Sequence, residues 1–175
     1  MKKINKLLFF TILLMMFSNA TFAETKMAYF DVDKVISQSK VGISVISQLG
    51  KIDKSNIGKF KKIEAKIKDN EKKLISKKNI LSKKDFQIEL KTLKNEFDTY
   101  KRQRAKDIND VSIKRVNATK KVLGLMKPIL AEYADENNIS IILSKQNIVI
   151  GKNELDITDE ILTLVNKNVK PFTLK

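Results

Sequence analysis

The pattern of apolar and polar residues changes period several times along the chain, and each change marks a candidate element. The first apolar block, Leu7–Phe17, follows a positive stretch containing Lys2, Lys3 and Lys6 and precedes the small residues Ala20 and Ala23. That order predicts a secretory signal peptide over 1–23, cleaved after Ala20 or Ala23. The block is well short of the roughly 20 residues needed to span a bilayer. Residues 26–32 (KMAYFDV) set Ala28, Phe30 and Val32 on one face and Met27 and Tyr29 on the other, which predicts a largely buried strand. Asp33 then reads as the N-cap of a short helix over Lys34–Ser39, and Gly42 as a break.

From Ile43 to about Ile80 the period becomes helical. Ile46, Leu49, Phe60, Ile63, Ile67, Leu74 and Leu81 fall on one seam at spacings of three and four, interrupted by Asp53, Asn56, Asn70 and Lys77. Ser82 followed by Asp85 has capping spacing and predicts a reversal, with a second helix starting at Lys83. Phe86, Leu90, Leu93, Phe97 and Tyr100 form its seam. Arg104 and Ile108 introduce a stutter, and Val111, Ala118, Val122, Leu125 and Ile129 resume the pattern toward Asn137, with Pro128 expected to kink the helix near its end. Residues 139–143 and 148–150 read as strands, and Thr158 as the cap of a last helix over about 159–168. Two long helices joined by a short turn make an antiparallel hairpin. The expected fold is therefore α+β. A coiled-coil-like arm over 45–119, its tip near 81–84, protrudes from a small strand-bearing head formed by 24–44 and 120–175. A compact helical bundle would need a richer apolar stripe than these arms carry.

Composition narrows the chemistry. With no Cys and no His among 175 residues, the chain has no disulfide, thiol nucleophile, imidazole base or usual zinc ligand set. None of the five Gly forms a phosphate-cradling motif, so neither a cofactor nor a metal is expected, and an enzyme is the weakest reading. Formal net charge is +15, and the excess sits in the arms: residues 51–84 hold 13 Lys against 4 acids, whereas 122–175 hold 6 Lys against 7 acids. A codon bias toward Lys would act along the whole chain and would not concentrate it in this way. A basic hairpin beyond a neutral head reads as a surface for anionic partners.

The order of segments resembles the Skp (OmpH-like) family of periplasmic chaperones. The likeness rests on Lys26–Val32 as first strand, Lys40–Ser44 as the break into the arm, and Ile139–Leu143, Ile148–Ile150 and Asp156–Thr158 with the following helix as the closing segment. The arms match in character rather than in identifiable residues. The resemblance implies a homotrimer whose strands form a shared head and whose hairpins enclose a cavity for unfolded outer-membrane β-barrel proteins. It implies no catalytic site, ATP-independent holding, and a periplasmic location after signal cleavage. A lipopolysaccharide site is described for the family on the arms, which makes anionic lipid or lipopolysaccharide a further partner to consider.

On this reading Lys72, Lys73, Lys77, Lys78, Lys83 and Lys84 attract the client, and Phe60, Phe86, Phe97 and Tyr100 contribute apolar contact. Phe30, Val32, Ile141, Leu143, Ile148 and Ile150 are the expected trimerisation residues, because three strands and a small helix make a poor core alone. Two other readings stand beside it. One is an exported polyanion- or nucleic-acid-binding protein, against which three Arg, 32 Lys and the lack of a base-reading element argue. The other is a structural coiled-coil spacer, which leaves the strand-rich ends unexplained.

Overall fold

The computed structural model describes residues 25–174. The signal peptide expected over 1–23 lies outside them. Strand β1 (Met27–Phe30) leads into helix α1 (Val32–Gln38), then α2 (Lys40–Ser76), a reversal, α3 (Lys83–Glu136), strand β2 (Ile141–Ser144) and helix α4 (Thr158–Asn168). β1 and β2 pair in parallel, Met27 opposite Ile141 and Phe30 opposite Ser144. The whole hairpin is thus the crossover between two neighbouring strands.

The chain's own caps place the joints. Asp31, not Asp33, caps α1: the Lys34 N–H donates to Asp31 Oδ1 at 2.9 Å. The expected strand over 26–32 therefore ends at Phe30, and Val32 lies in the first helical turn. Ser39 ends α1 and caps α2, its hydroxyl accepting from the Gly42 N–H at 3.1 Å. Gly42 is not a break but part of the first turn of α2. A Cβ there would sit 1.5 Å from the Ile36 carbonyl oxygen, so only glycine lets the two helices meet at this corner. The Asp85 N–H donates to Ser82 Oγ at 3.1 Å and starts α3. α3 ends in a Schellman turn. The Ile139 N–H donates to the Ala134 carbonyl at 2.8 Å, with Asn138 in the left-handed region at φ 53°. Pro128 lies inside α3, which continues to Glu136.

The head has a core of its own. Phe30, Val35, Val41, Leu49, Val122, Met126, Ile161 and Val165 are among its buried members, supplied by β1, α1, α4 and the bases of both long helices. Each such side chain contributes about 1.5–3 kcal/mol. This corrects the expectation for Phe30, which is buried within its own chain and is not short of partners there.

Residues 148–150 form no strand: Ile148 is irregular, and Val149 and Ile150 lie in a bend. The Tyr29 hydroxyl donates to the Lys152 carbonyl at 3.1 Å, and a Cβ on Gly151 would come within 2.8 Å of the Tyr29 ring. The loop is spent on covering Tyr29, so the chain turns there and leaves the Val149 and Ile150 side chains in solvent. The last helix begins at Thr158, so Thr158 is its first residue rather than its cap; Ile157 holds the cap position without a side-chain bond, and the Thr158 N–H donates to the Asp156 carboxylate at 3.1 Å.

Candidate functional site

The arm is built from 37-residue α2 and the facing part of 54-residue α3. At 1.5 Å per residue α2 is about 55 Å long. Phe60, Leu74 and Tyr100 are its deeply buried residues between 50 and 110. Phe60 and Tyr100 meet edge to face, with centroids 6.1 Å apart. Both pack the arm from within, and Tyr100 also forms part of the floor of the open grooves on its two sides, so burial limits the contact expected of them. Phe86 is half-buried near the tip, and Phe97 is 46% exposed.

Between these apolar points the seam is held by polar pairs. Lys77 reaches Glu89 at 3.3 Å, Asn70 Nδ2 donates to Glu96 at 3.0 Å, the Tyr100 hydroxyl donates to Glu64, and Lys59 reaches Asp107 at 3.0 Å. Arg104 comes within 3.9 Å of Glu64. The hydrogen bond from Lys59, joined by one from Gln103, holds the Asp107 carboxyl below the usual aspartate range. The Glu64 hydrogen bond, with burial, pushes the Tyr100 hydroxyl up.

These pairs correct the expected seam of α3. Glu89, Glu96, Gln103 and Asp107 take inward positions where Leu90, Phe97, Arg104 and Ile108 were expected. Phe86, Leu93, Tyr100 and Val111 keep their expected inward places, and between them the inward place falls one residue earlier, where Glu89, Glu96 and Asp107 each have a partner on α2. Leu90, Phe97 and Ile108 are left exposed. In α2, Val45 rather than Ile46 faces the head core.

Of the six lysines expected around the tip, Lys73 pairs with Asp69 at 2.7 Å and Lys77 with Glu89. Lys72, Lys78, Lys83 and Lys84 stand exposed around the reversal, together with Ile75 and Ile80. The structure therefore brings the basic residues into one tip region but scatters the four aromatic candidates between interior and surface.

At the head, Ile141 and Leu143 share the outer face of the sheet with Met27, and all three are exposed. Ile148 is half-buried and Ile150 is exposed. One edge of β1 pairs with β2 and the other bridges Asp156 at Tyr29; β2 pairs on one side with β1 alone. A polar cluster missed in the sequence pins α4 to this sheet. The Asp31 N–H donates to Thr158 Oγ1 at 2.9 Å, Thr158 donates to Asp156, and Lys145 reaches Asp156 at 2.8 Å. Burial pushes the Asp156 carboxyl up, but hydrogen bonds from Lys145 and Thr158 outweigh it and hold the group below its usual range. Asp156 beside Thr158 is the sequence signal for this cluster, legible as a helix start but not as a tie to β1.

Among the described residues no group of His, Cys, Asp or Glu could hold a metal ion, and no helix is long and apolar enough to cross a membrane.

Comparison with known proteins gives two findings. Residues 26–165 match the family model of outer membrane protein (OmpH-like). A crystal structure of an OmpH-like outer membrane chaperone from Caulobacter crescentus superposes with a TM-score of 0.79 at 17% identity, covering 87% of this chain and 90% of that one. Curated proteins yield no match. A family match across most of the chain, joined to the same head-and-arm fold, means that this protein belongs to the OmpH-like family.

Proposed function

We propose that this protein is an ATP-independent periplasmic holdase, which binds unfolded outer-membrane β-barrel proteins between basic helical arms and keeps them from aggregating before insertion. The observation that carries the reading is the arm. It is a long hairpin with few buried side chains, a positive surface and isolated apolar residues in solvent. Such a surface suits a client without fixed shape, whose strands alternate apolar and polar residues. Family membership and the chaperone described for the Caulobacter protein support the same reading.

A homotrimer belongs to the proposal. The unpaired edge of β2 and the exposed Met27, Ile141 and Leu143 leave a strand edge and an apolar sheet face that joining sheets across chains would cover. Val149 and Ile150 lie in the adjacent loop, fully in solvent. Anionic lipid or lipopolysaccharide would meet the same lysines at the tip.

The test is aggregation of a urea-diluted porin at low salt, with DNA as competitor and with native mass measured before and after mixing. Suppressed aggregation and a complex of trimer mass plus one client are expected. Failure to suppress aggregation overturns the reading, and DNA binding as tight as client binding favours a polyanion binder, for which the charge concentrated in residues 51–84 is the motive.

A further inference from the structure

The displaced positions in the α3 seam have a chemical result. Leu90, Phe97 and Ile108 lie about 80° round α3 from the buried seam, and Ile57 and Ile75 lie about 100° round α2 from theirs. Because the helices run antiparallel, these two offsets turn toward the same broad side of the hairpin. The shallow groove on that side is lined by Glu64, Lys68 and Glu71 of α2 and by Phe97, Lys101 and Arg104 of α3, which confirms the pairing of faces. The groove on the opposite side is lined by Ile63 and Lys66 of α2 and by Thr92, Asn95, Thr99 and Gln103 of α3, and Ile67 and Tyr100 border both grooves. The side with Phe97 exposes more large apolar side chains, Ile57, Ile75, Leu90, Phe97 and Ile108, than the other side, which exposes Ile88 and Ile113.

The cross-arm pairs fix how the apolar residues line up. Lys77 with Glu89 sets Ile75 level with Leu90, and Lys59 with Asp107 sets Ile57 level with Ile108. Phe97 stands between the two levels, with Lys101 5.5 Å from its ring centre. The eighteen residue-to-residue steps from Ile57 to Ile75 span about 27 Å. An extended chain rising about 3.3 Å per residue covers that distance with about eight residues.

We propose that this apolar side of the hairpin, with Ile57, Ile75, Leu90, Phe97 and Ile108, is the surface that retains the client, and that it takes an extended segment of unfolded polypeptide carrying apolar and acidic residues. The inference rests on the holdase reading above. Charge complementarity selects the occupant: Lys68, Lys101 and Arg104 lie between the apolar steps against Glu64 and Glu71, and Glu64 is engaged by Tyr100 and Arg104, which leaves the side positive. The groove is shallow and has no enclosed pocket for a folded partner's anchor, which suits apolar side chains presented one after another along a strand.

The experiment compares two full-length variants matched in kind. Ile57→Gln, Phe97→Gln and Ile108→Gln together strip the apolar side. Ile88→Gln and Ile113→Gln strip the exposed apolar residues of the other side. Gln keeps helix propensity at such exposed sites. The probe is a urea-unfolded porin, with its release followed at 1 M salt, where steering by charge is screened. The triple variant is expected to release the porin about tenfold faster than wild type, and the double variant within about twofold of it, the change lying in dissociation. Equal loss in both variants, or none in the triple variant, overturns the assignment of the face while leaving the holdase reading intact. A triple variant whose native mass falls below that of wild type also overturns it, because the face is then a contact between copies of this chain. A wild type that never holds the porin overturns the holdase reading itself, and this inference with it.

Discussion

Head and arm are made from the same two long helices, yet they are held together by different physics. In the head, the bases of α2 and α3 meet α1, α4 and β1 around side chains with no exposure at all, such as Met126, Ile161 and Val165. In the arm, three residues between 50 and 110 are deeply buried, and the intervals are closed by ion pairs and amide–carboxylate bonds. Exposed ion pairs contribute little each, commonly under about 1 kcal/mol. The head therefore folds by removing apolar surface from water, while the arm keeps its register through polar partners and leaves apolar surface outside. That second construction suits the client-holding role proposed for the arm, since it leaves apolar side chains within reach of a partner.

The comparison breaks most readily at the core. Ile161→Ala is expected to lower global stability by about 3 kcal/mol, because it opens a cavity among α4, β1 and the helix bases. Urea denaturation checks this; a loss under about 1 kcal/mol would mean that the head does not carry the stability. Leu74→Ala removes one of the arm's few buried residues. Its cost, about 2 kcal/mol, is expected to appear as local opening. Amide exchange should quicken between Phe60 and Tyr100 and stay unchanged at Met126 and Ile161. Equal acceleration in both regions would show a single cooperative unit.

The smallest effect sharpens the contrast by pH. Asp156 in the head is held below its ordinary value of 3.8, so its stabilisation is fully present above that value and fades as pH falls through the lower folded one. Tyr100 in the arm is held above its ordinary value of 10.0, so its stabilisation is fully present below pH 10 and fades as pH rises through the higher folded one. Acid should loosen the contact of α4 with β1 first, and alkali the middle of the arm. Exchange at residues 156–161 and 60–104, followed at both extremes, checks the order; Asp156→Asn should remove the acid effect, and Tyr100→Phe the alkaline one.

The sequence by itself determined the two long helices, the first strand and the last helix, and their order. Ser82 with Asp85 sets the reversal because an N-cap is a local bond between neighbours. Helical period separates the long arms from the strand-rich ends for the same reason, since a repeat of three and four needs no distant partner to be read. The concentration of Lys in 51–84 was legible as plain counting.

What depended on contacts far apart in the chain was decided only in three dimensions. Leu90, Phe97 and Ile108 fit a seam on hydrophobicity alone. Glu89, Glu96 and Asp107 displaced them because Lys77, Asn70 and Lys59 wait on the other helix, and no local rule ranks a paired carboxylate above a leucine. Ile148–Ile150 has strand composition, but covering Tyr29 turns the chain at Gly151 and leaves no strand there. Phe30 lacked visible partners until the bases of α2 and α3 closed around it. In each case propensity is a property of neighbours, whereas burial and pairing belong to whichever distant residues the fold brings within reach.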